Sequence, residues 1–293
     1  MDIGIIGGGS LGLLLTSYLH KEHQVSLYVR RKEQAKLIQK RGITLDTGDE
    51  VCKVFPPKVK DVRELVRHDV LFVAVKQPDL PELLAFIKEK SLQSSYVFLQ
   101  NGMGHIEDIK GLPQSIYIGI VDHGAKKEDD TKVKHLGRGK ITLSSLKGAT
   151  DPLIKLADAL HTDSFPFTYT KDWRSLLEGK LIVNAVINPL TAIFDVPNGD
   201  IIHKESLRKI ARQLTKETAR VLKMEEEEAW DKVERVASIT AKNTSSMRAD
   251  ILQGRRTEVE AITGYILKLG EPQNLPFTTF VYYAILTLEE RGK

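Results

Sequence analysis

The stretch Asp2-Ile3-Gly4-Ile5-Ile6-Gly7-Gly8-Gly9-Ser10-Leu11-Gly12 decides the fold. An apolar run of strand character passes directly into Gly7, Gly9 and Gly12 at the spacing G-x-G-x-x-G, and Leu11 opens an amphipathic segment that reaches residue 19. A strand, a glycine turn and a helix in that order are the context a dinucleotide fingerprint requires. Gly7 allows the tight turn, Gly9 lets the backbone approach a pyrophosphate, and Gly12 lets the helix pack on the strand, with Gly8, Ser10 and Leu11 completing the loop. The helix N-terminus then offers N–H groups and the positive end of its dipole to phosphate. The plainer alternative is a glycine turn that merely joins strand to helix.

Outward from this stretch, β-rich runs at 3–6, 25–29, 70–75, 96–99 and 116–120 alternate with helical patterns. Their hydrophobicity is mostly continuous, as suits parallel strands covered on both faces by crossover helices. At 133–143 two short strands around Gly137-Arg138-Gly139 read as an antiparallel hairpin at an edge, which makes the sheet mixed. Beyond about residue 168 helical period takes over, with segments at 172–194, 204–223, 227–253 and 257–269. The expected architecture is α/β: an N-terminal Rossmann-like dinucleotide-binding domain over 1–168 and a C-terminal all-helical substrate and catalytic domain over 169–293. No linker separates the two, so the cleft between them is the expected active site.

Composition narrows the function classes. Of 293 residues, 41% are hydrophobic and 28% charged, which are ordinary globular values. A net charge of +4, from 43 basic and 39 acidic residues, lacks the concentrated basic stripe of a nucleic-acid binder. Cys52 is the single cysteine, so no intrachain disulfide forms and a cytoplasmic location is expected. No basic region precedes the first apolar run, and the apolar stretch 181–194 is read as too short or too interrupted by Asn to span a bilayer. The acidic run 225–228 points around a helix rather than converging, and is read as a solvated helix start.

Cofactor choice turns on the end of the second strand, where an NAD enzyme usually places a carboxylate on the ribose 2'-hydroxyl. Here Val29 is followed by Arg30-Arg31-Lys32. Guanidinium groups pair bidentately with a 2'-phosphate, which argues for NADP(H) over NAD(H); a basic cluster serving only solubility is the alternative. Two loops fall at the ligand-binding rim of the sheet, carrying Lys76-Gln77 and Asn101-Gly102. Lys76 suits a phosphate or a substrate carboxylate, and Asn101 suits either the cofactor's ribose or an Asx turn beside Gly102.

In the helical half, Lys180, Asn184 and Asn188 lie at i, i+4 and i+8 of an apolar helix and drift only ~80° around its axis. One face is therefore polar, as a cleft wall or as a buried hydrogen-bonded network. Further on, Thr257 and Glu260 have the spacing of a capping box, and Glu258 is left in the first helical turn.

Taken in order, the glycine fingerprint, Lys76, Asn101-Gly102, Gly179-Lys180 with Asn184 and Ile187-Asn188-Pro189-Leu190-Thr191-Ala192, Pro197-Asn198-Gly199, Asn243-Thr244-Ser245-Ser246-Met247 and Arg256-Thr257-Glu258 resemble the ketopantoate reductases over essentially the whole chain. The resemblance implies NADPH-dependent reduction of 2-dehydropantoate to (R)-pantoate on the way to pantothenate and coenzyme A. It further implies that Lys180 is the catalytic proton donor and that Glu258 holds the substrate's terminal hydroxyl. Asn184, Asn188, Asn198 and Ser246 are implied to bind the ketoacid, Asn101 to position cofactor and substrate, and Arg30 to read the 2'-phosphate, in agreement with the charge reading of Arg30 and Arg31 above. Family members often carry Gln three residues after the loop lysine; here that place is Asp79 and Gln77 follows Lys76 directly. A reductase of another branched 2-ketoacid and a non-catalytic NADP(H) sensor are the competing readings. The expected partner is a small-molecule 2-ketoacid, with neither nucleic acid nor membrane, in a monomer or homodimer.

Overall fold

A computed structural model describes residues 1–56 and 58–291; Pro57, Gly292 and Lys293, which fall within the two expected domains, lie outside the described residues. The chain forms two compact units, Met1–Gln100 with Glu107–Trp173, and Asn101–Ile106 with Arg174–Lys293.

In chain order the first unit begins with β1 (Asp2–Ile6), α1 (Ser10–Leu19), β2 (Gln24–Val29), α2 (Lys32–Arg41), β3 (Ile43–Asp46), β4 (Val51–Val54), β5 (Lys58–Asp61) and β6 (Val70–Val73). It continues through α3 (Leu80–Lys90), β7 (Ser95–Phe98), α4 (Ile106–Lys110), β8 (Ile116–Val121), β9 (Gly124–Lys127), β10 (Lys132–Gly137), β11 (Ile141–Lys147), α5 (Thr150–Leu160) and β12 (Phe167–Thr170). Eight strands form one sheet in the order β12-β11-β8-β7-β6-β1-β2-β5. The pairings are parallel except for β11, which runs antiparallel to β8, so the sheet is mixed as expected. The chain leaves β1 toward β2 on one side and returns to β6 on the other. This reversal puts the switch point of the fold at the carboxyl end of β1, beside the glycine loop.

A second sheet, β4-β3-β10-β9, was not expected from the sequence. It covers α1, so Leu13 and Leu14 of the helix share one buried cluster with Leu45, Val54 and Val133 of this sheet and Ile3 and Ile5 of the other. The hairpin expected around Gly137-Arg138-Gly139 is therefore corrected. β10 and β11 belong to different sheets, and the antiparallel hairpin is β9 with β10, Lys127 opposite Val133. The Gly-Arg-Gly segment is the crossing from one sheet to the other. Gly139 is needed there because a Cβ would stand 2.5 Å from the Asp122 carbonyl oxygen.

The second unit is helical: α6 (Trp173–Phe194), α7 (Asp200–His203), α8 (Glu205–Leu222), α9 (Glu226–Ile239), α10 (Ser246–Leu252), α11 (Thr263–Leu269) and α12 (Pro276–Arg291). The segment expected as one helix over 227–253 is two, broken where Ser245 caps α10 by accepting a hydrogen bond from the Arg248 N–H. α12, absent from the sequence reading, is anchored at its start by the buried Glu217 of α8. That carboxylate accepts from the N–H groups of Phe277 and Thr278 at 3.0 and 2.8 Å and from the Thr278 hydroxyl at 2.8 Å. α6 runs unbroken through Pro189, where Thr191 turns its hydroxyl back to the carbonyls of Ile187 and Asn188. Contrary to the reading of 181–194 as too short, α6 is long and apolar enough by length and composition to cross a membrane. In this fold 67% of its apolar window is buried inside the protein, as in the core helix of a globular unit.

Candidate active site

The glycine loop has the geometry a dinucleotide pyrophosphate needs. Gly7 adopts φ +121°, and a Cβ there would lie 2.8 Å from the Ala74 carbonyl oxygen. A Cβ on Gly12 would stand 1.8 Å from the Gly7 carbonyl oxygen, so the helix reaches the strand only because residue 12 is glycine. A Cβ on Gly9, by contrast, would meet nothing within 4 Å, so the outer face of the loop is open. Gly9 precedes α1 and no side chain caps the helix, so the N–H groups of its first turn at Ser10 and Leu11 remain for an anion. The residues present fit the dinucleotide that the fingerprint implies.

Behind the loop, side chains missed by the sequence reading hold its backbone. Gln34 of α2 donates to the Gly8 carbonyl at 2.8 Å and to the Asp130 carbonyl at 3.1 Å. Lys127 of β9 donates to the same Gly8 carbonyl at 3.1 Å and to the Asp130 carboxylate at 2.9 Å. At the end of β2, exposed Arg30 pairs with Asp79 at 2.9 Å, and Arg31 pairs with Asp130. Asp61, opposite Val29 on β5, is engaged by three donors of Arg63, whose hydrogen bonds hold its carboxyl down at about 2. Lys76 is exposed and opens the short 3-10 turn Gln77–Asp79 at the end of β6.

In the second unit the expected polar residues of α6 sit in different surroundings. Lys180 and Asn184 are half-buried and Asn188 is buried. One turn beyond Asn188, the Thr191 hydroxyl bonds Ser245 at 2.7 Å, which fixes the start of α10 against α6. Ser246, the first residue of α10, is exposed beside that contact. Asn198 is turned into the protein: it donates to the Thr240 hydroxyl at 2.9 Å, and its backbone N–H bonds Asn243 at 3.1 Å. Those contacts tie the turn before α7 to the end of α9.

Asn101 and Glu258 meet. The Asn101 amide donates to a Glu258 carboxylate oxygen at 2.9 Å across a separation of 157 residues. The strap Asn101–Ile106 is drawn to the 3-10 turn Val259–Ala261 by its own glycine. Gly102 has φ +77°, a Cβ there would lie 2.1 Å from the Ala261 carbonyl oxygen, and that oxygen accepts the Met103 N–H at 3.1 Å. His105 in the strap is buried, and burial pushes it down to about 4, so it is neutral at physiological pH.

The expected capping box is not formed. Thr257 gives both its N–H and its hydroxyl to Glu289 of α12, each at 2.7 Å, while the Tyr282 hydroxyl donates to Glu260 at 2.8 Å. Glu258 itself stands just before the 3-10 turn rather than inside an α-helix, without a capping contact of its own. A carboxylate on α12 thus does what the local Glu was expected to do, and no local pattern signals it.

The family model "Ketopantoate reductase PanE/ApbA" matches residues 3–148, and "Ketopantoate reductase PanE/ApbA C terminal" matches residues 172–288. A 2-dehydropantoate 2-reductase of Bacillus subtilis is 42% identical over 99% of this chain and 98% of its own length. The crystal structure of a probable 2-dehydropantoate 2-reductase from Bacillus subtilis, 42% identical, superposes with TM-score 0.87 over 98% of this chain and all of that one. A D-mandelate dehydrogenase solved with NADH and anilino(oxo)acetate has the same fold, with TM-score 0.91 over 100% of this chain and 99% of that one, at 24% identity. The chain belongs to the ketopantoate reductase family.

Proposed function

We propose that this chain is an NADPH-dependent 2-dehydropantoate 2-reductase, acting in the cytoplasm on the route to pantothenate and coenzyme A. The observation that carries the reading is the Asn101–Glu258 bond, which joins the asparagine of the strap to the carboxylate before the 3-10 turn within the second unit, in a chain 42% identical to such an enzyme over 99% of its length. The nucleotide-binding domain is 1–168 and the substrate domain 169–293, with the strap 101–106 serving the latter.

Bound NADPH supplies the hydride. Gly7 to Gly12 receive its pyrophosphate, Arg30 and Arg31 its 2'-phosphate, and Lys76 a further anionic group of cofactor or substrate. Lys180 donates the proton to the carbonyl oxygen, and its ammonium stabilises the negative charge that develops there. Glu258 accepts the substrate's terminal hydroxyl, and Asn101 orients that carboxylate through its amide hydrogen bond. Asn184, Asn188 and Ser246 bind and orient the ketoacid. Asn198 acts on the same set through the turn it stabilises.

The test compares 2-dehydropantoate with 2-ketoisovalerate, which lacks the hydroxymethyl group, in wild type and in Glu258→Ala. Wild type is expected to prefer the hydroxylated substrate, and Glu258→Ala to lose about 10- to 100-fold of that preference, mainly through KM. Equal use of both ketoacids by wild type would favour a reductase of another branched 2-ketoacid. NADPH binding without turnover of any ketoacid would favour a sensor.

A further inference from the structure

The two arginines that follow β2 each hold a carboxylate. Arg30 Nη1 lies 2.9 Å from Asp79 Oδ1 of the turn after β6, and Arg31 Nη2 bonds Asp130 Oδ1 at the tip of the β9–β10 hairpin. Asp130 is the better embedded, its side chain 24% exposed against 48% for Asp79. It also accepts from Lys127 at 2.9 Å. Burial raises its carboxyl, but the hydrogen bonds of Lys127 and Arg31 more than reverse this, so it is held below the usual carboxylate range and stays ionised at neutral pH. The hairpin tip is fixed to the glycine loop itself, because Gln34 bonds both the Gly8 and the Asp130 carbonyls and Lys127 bonds both Gly8 and the Asp130 carboxylate. Asp79 and Asp130 therefore stand where a second anion would be read.

We infer that Asp79 and Asp130 are specificity-determining residues that hold Arg30 and Arg31 in the free protein, so that a ribose 2'-phosphate binds by exchanging with them. The inference rests on the NADPH reading above and deepens it. Arginine chemistry alone predicts a strong preference for the phosphorylated nucleotide. The two carboxylates temper it: each guanidinium gives up an existing charge-assisted bond when it takes the phosphate, and each carboxylate then faces a like charge. An NADH-type ribose needs neither guanidinium and makes no such exchange. A site of this kind binds NADPH less tightly than its arginines allow and releases NADP more readily.

The size of the exchange follows from exposure. The open Arg30–Asp79 pair is worth about two- to fivefold in an equilibrium constant. The less exposed Asp130, shared by two cations, is worth about tenfold.

The test uses the full-length protein and two nucleotides without nicotinamide, 2',5'-ADP and 5'-AMP, in calorimetric titrations of wild type, Asp79→Asn, Asp130→Asn and the double variant. Asp79→Asn is expected to tighten 2',5'-ADP about two- to fivefold and Asp130→Asn about tenfold, while 5'-AMP changes less than twofold in each. Unchanged 5'-AMP binding also shows that the glycine loop is intact in Asp130→Asn; Asp79, exposed on its turn, provides the variant that leaves the hairpin untouched. Weaker 2',5'-ADP binding in both variants would make the carboxylates aligning groups and overturn the inference, as would no change in either. Wild type that fails to prefer 2',5'-ADP would count against the NADPH reading alone. In that event the double variant is still expected to acquire the preference, and its failure to do so would overturn the inference separately.

Discussion

Glu289 offers the sharpest test of how the helical unit presents Glu258. Its Oε1 accepts both the N–H and the hydroxyl of Thr257 at 2.7 Å, and Thr257 is buried. Glu289→Ala leaves two buried donors without that acceptor. Hydrogen bonds to a charged group are worth about 1.5–3 kcal/mol each, and with Glu289 half-buried and one oxygen serving both donors the total is about 2–4 kcal/mol. Glu289→Gln keeps an oxygen in place and loses only the charge assistance, about 1 kcal/mol. The residue next to Thr257 is Glu258, so loosening this turn also displaces the carboxylate that Asn101 meets. A shift of ~1 Å in such a group lowers kcat/KM for the ketoacid by up to about 100-fold, whereas NADPH affinity, carried by the glycine loop, stays within twofold. Urea denaturation reads the stability and steady-state kinetics read the split. Wild-type stability and KM in Glu289→Ala would refute the reasoning, as would equal damage from Glu289→Gln.

Three further outcomes follow from the same geometry. Lys180→Ala is expected to lower turnover about 10²- to 10⁴-fold with NADPH affinity little changed; near-normal turnover in a steady-state assay would remove Lys180 from the chemistry. Gly12→Ala puts a Cβ 1.8 Å from the Gly7 carbonyl oxygen, so dinucleotide titration is expected to show loss of binding, and retained affinity would contradict the tight loop. The third concerns His123, whose Nδ1 accepts the Gly139 N–H and faces His135 at 3.1 Å, with Tyr18 bonding His135 on its far side. Burial, then the neighbouring His135, push His123 down to about 4, and Asp122 opposes them. The unfolded chain therefore takes up a proton near pH 6.5 that the folded chain refuses. This contribution to stability is full above about pH 6.5 and is lost as pH falls toward 4, by up to about 3 kcal/mol. His123→Gln is expected to flatten that part of a stability–pH profile, and an unchanged slope would assign it to other groups.

What was legible in the sequence follows from how the residues are buried. β1, β6, β7 and β8 lie between covering layers, so their runs are continuously apolar and readable without partners. The four-stranded sheet was hidden because its strands are short and carry few apolar side chains, with Lys53 exposed in Val51–Val54 and Lys126 exposed in Gly124–Lys127. α12 escaped for the opposite reason: its aromatic and β-branched residues are distributed around the helix, with Phe280 and Tyr283 exposed and Val281 and Ile285 buried. Among the candidate residues, the glycine loop, Arg30 and the α6 face are local patterns. The partners that shape them come from distant parts of the chain. Asn101 reaches Glu258, Thr257 reaches Glu289 and Arg31 reaches Asp130, and no local spacing records those meetings.

The central claim is most directly tested by the initial rate of NADPH oxidation when purified protein is mixed with 2-dehydropantoate, run beside the same reaction with NADH. The account predicts rapid, ketoacid-dependent oxidation that is faster with NADPH and yields (R)-pantoate. Absence of ketoacid-dependent oxidation with either nucleotide, in protein that still binds NADPH, would contradict it.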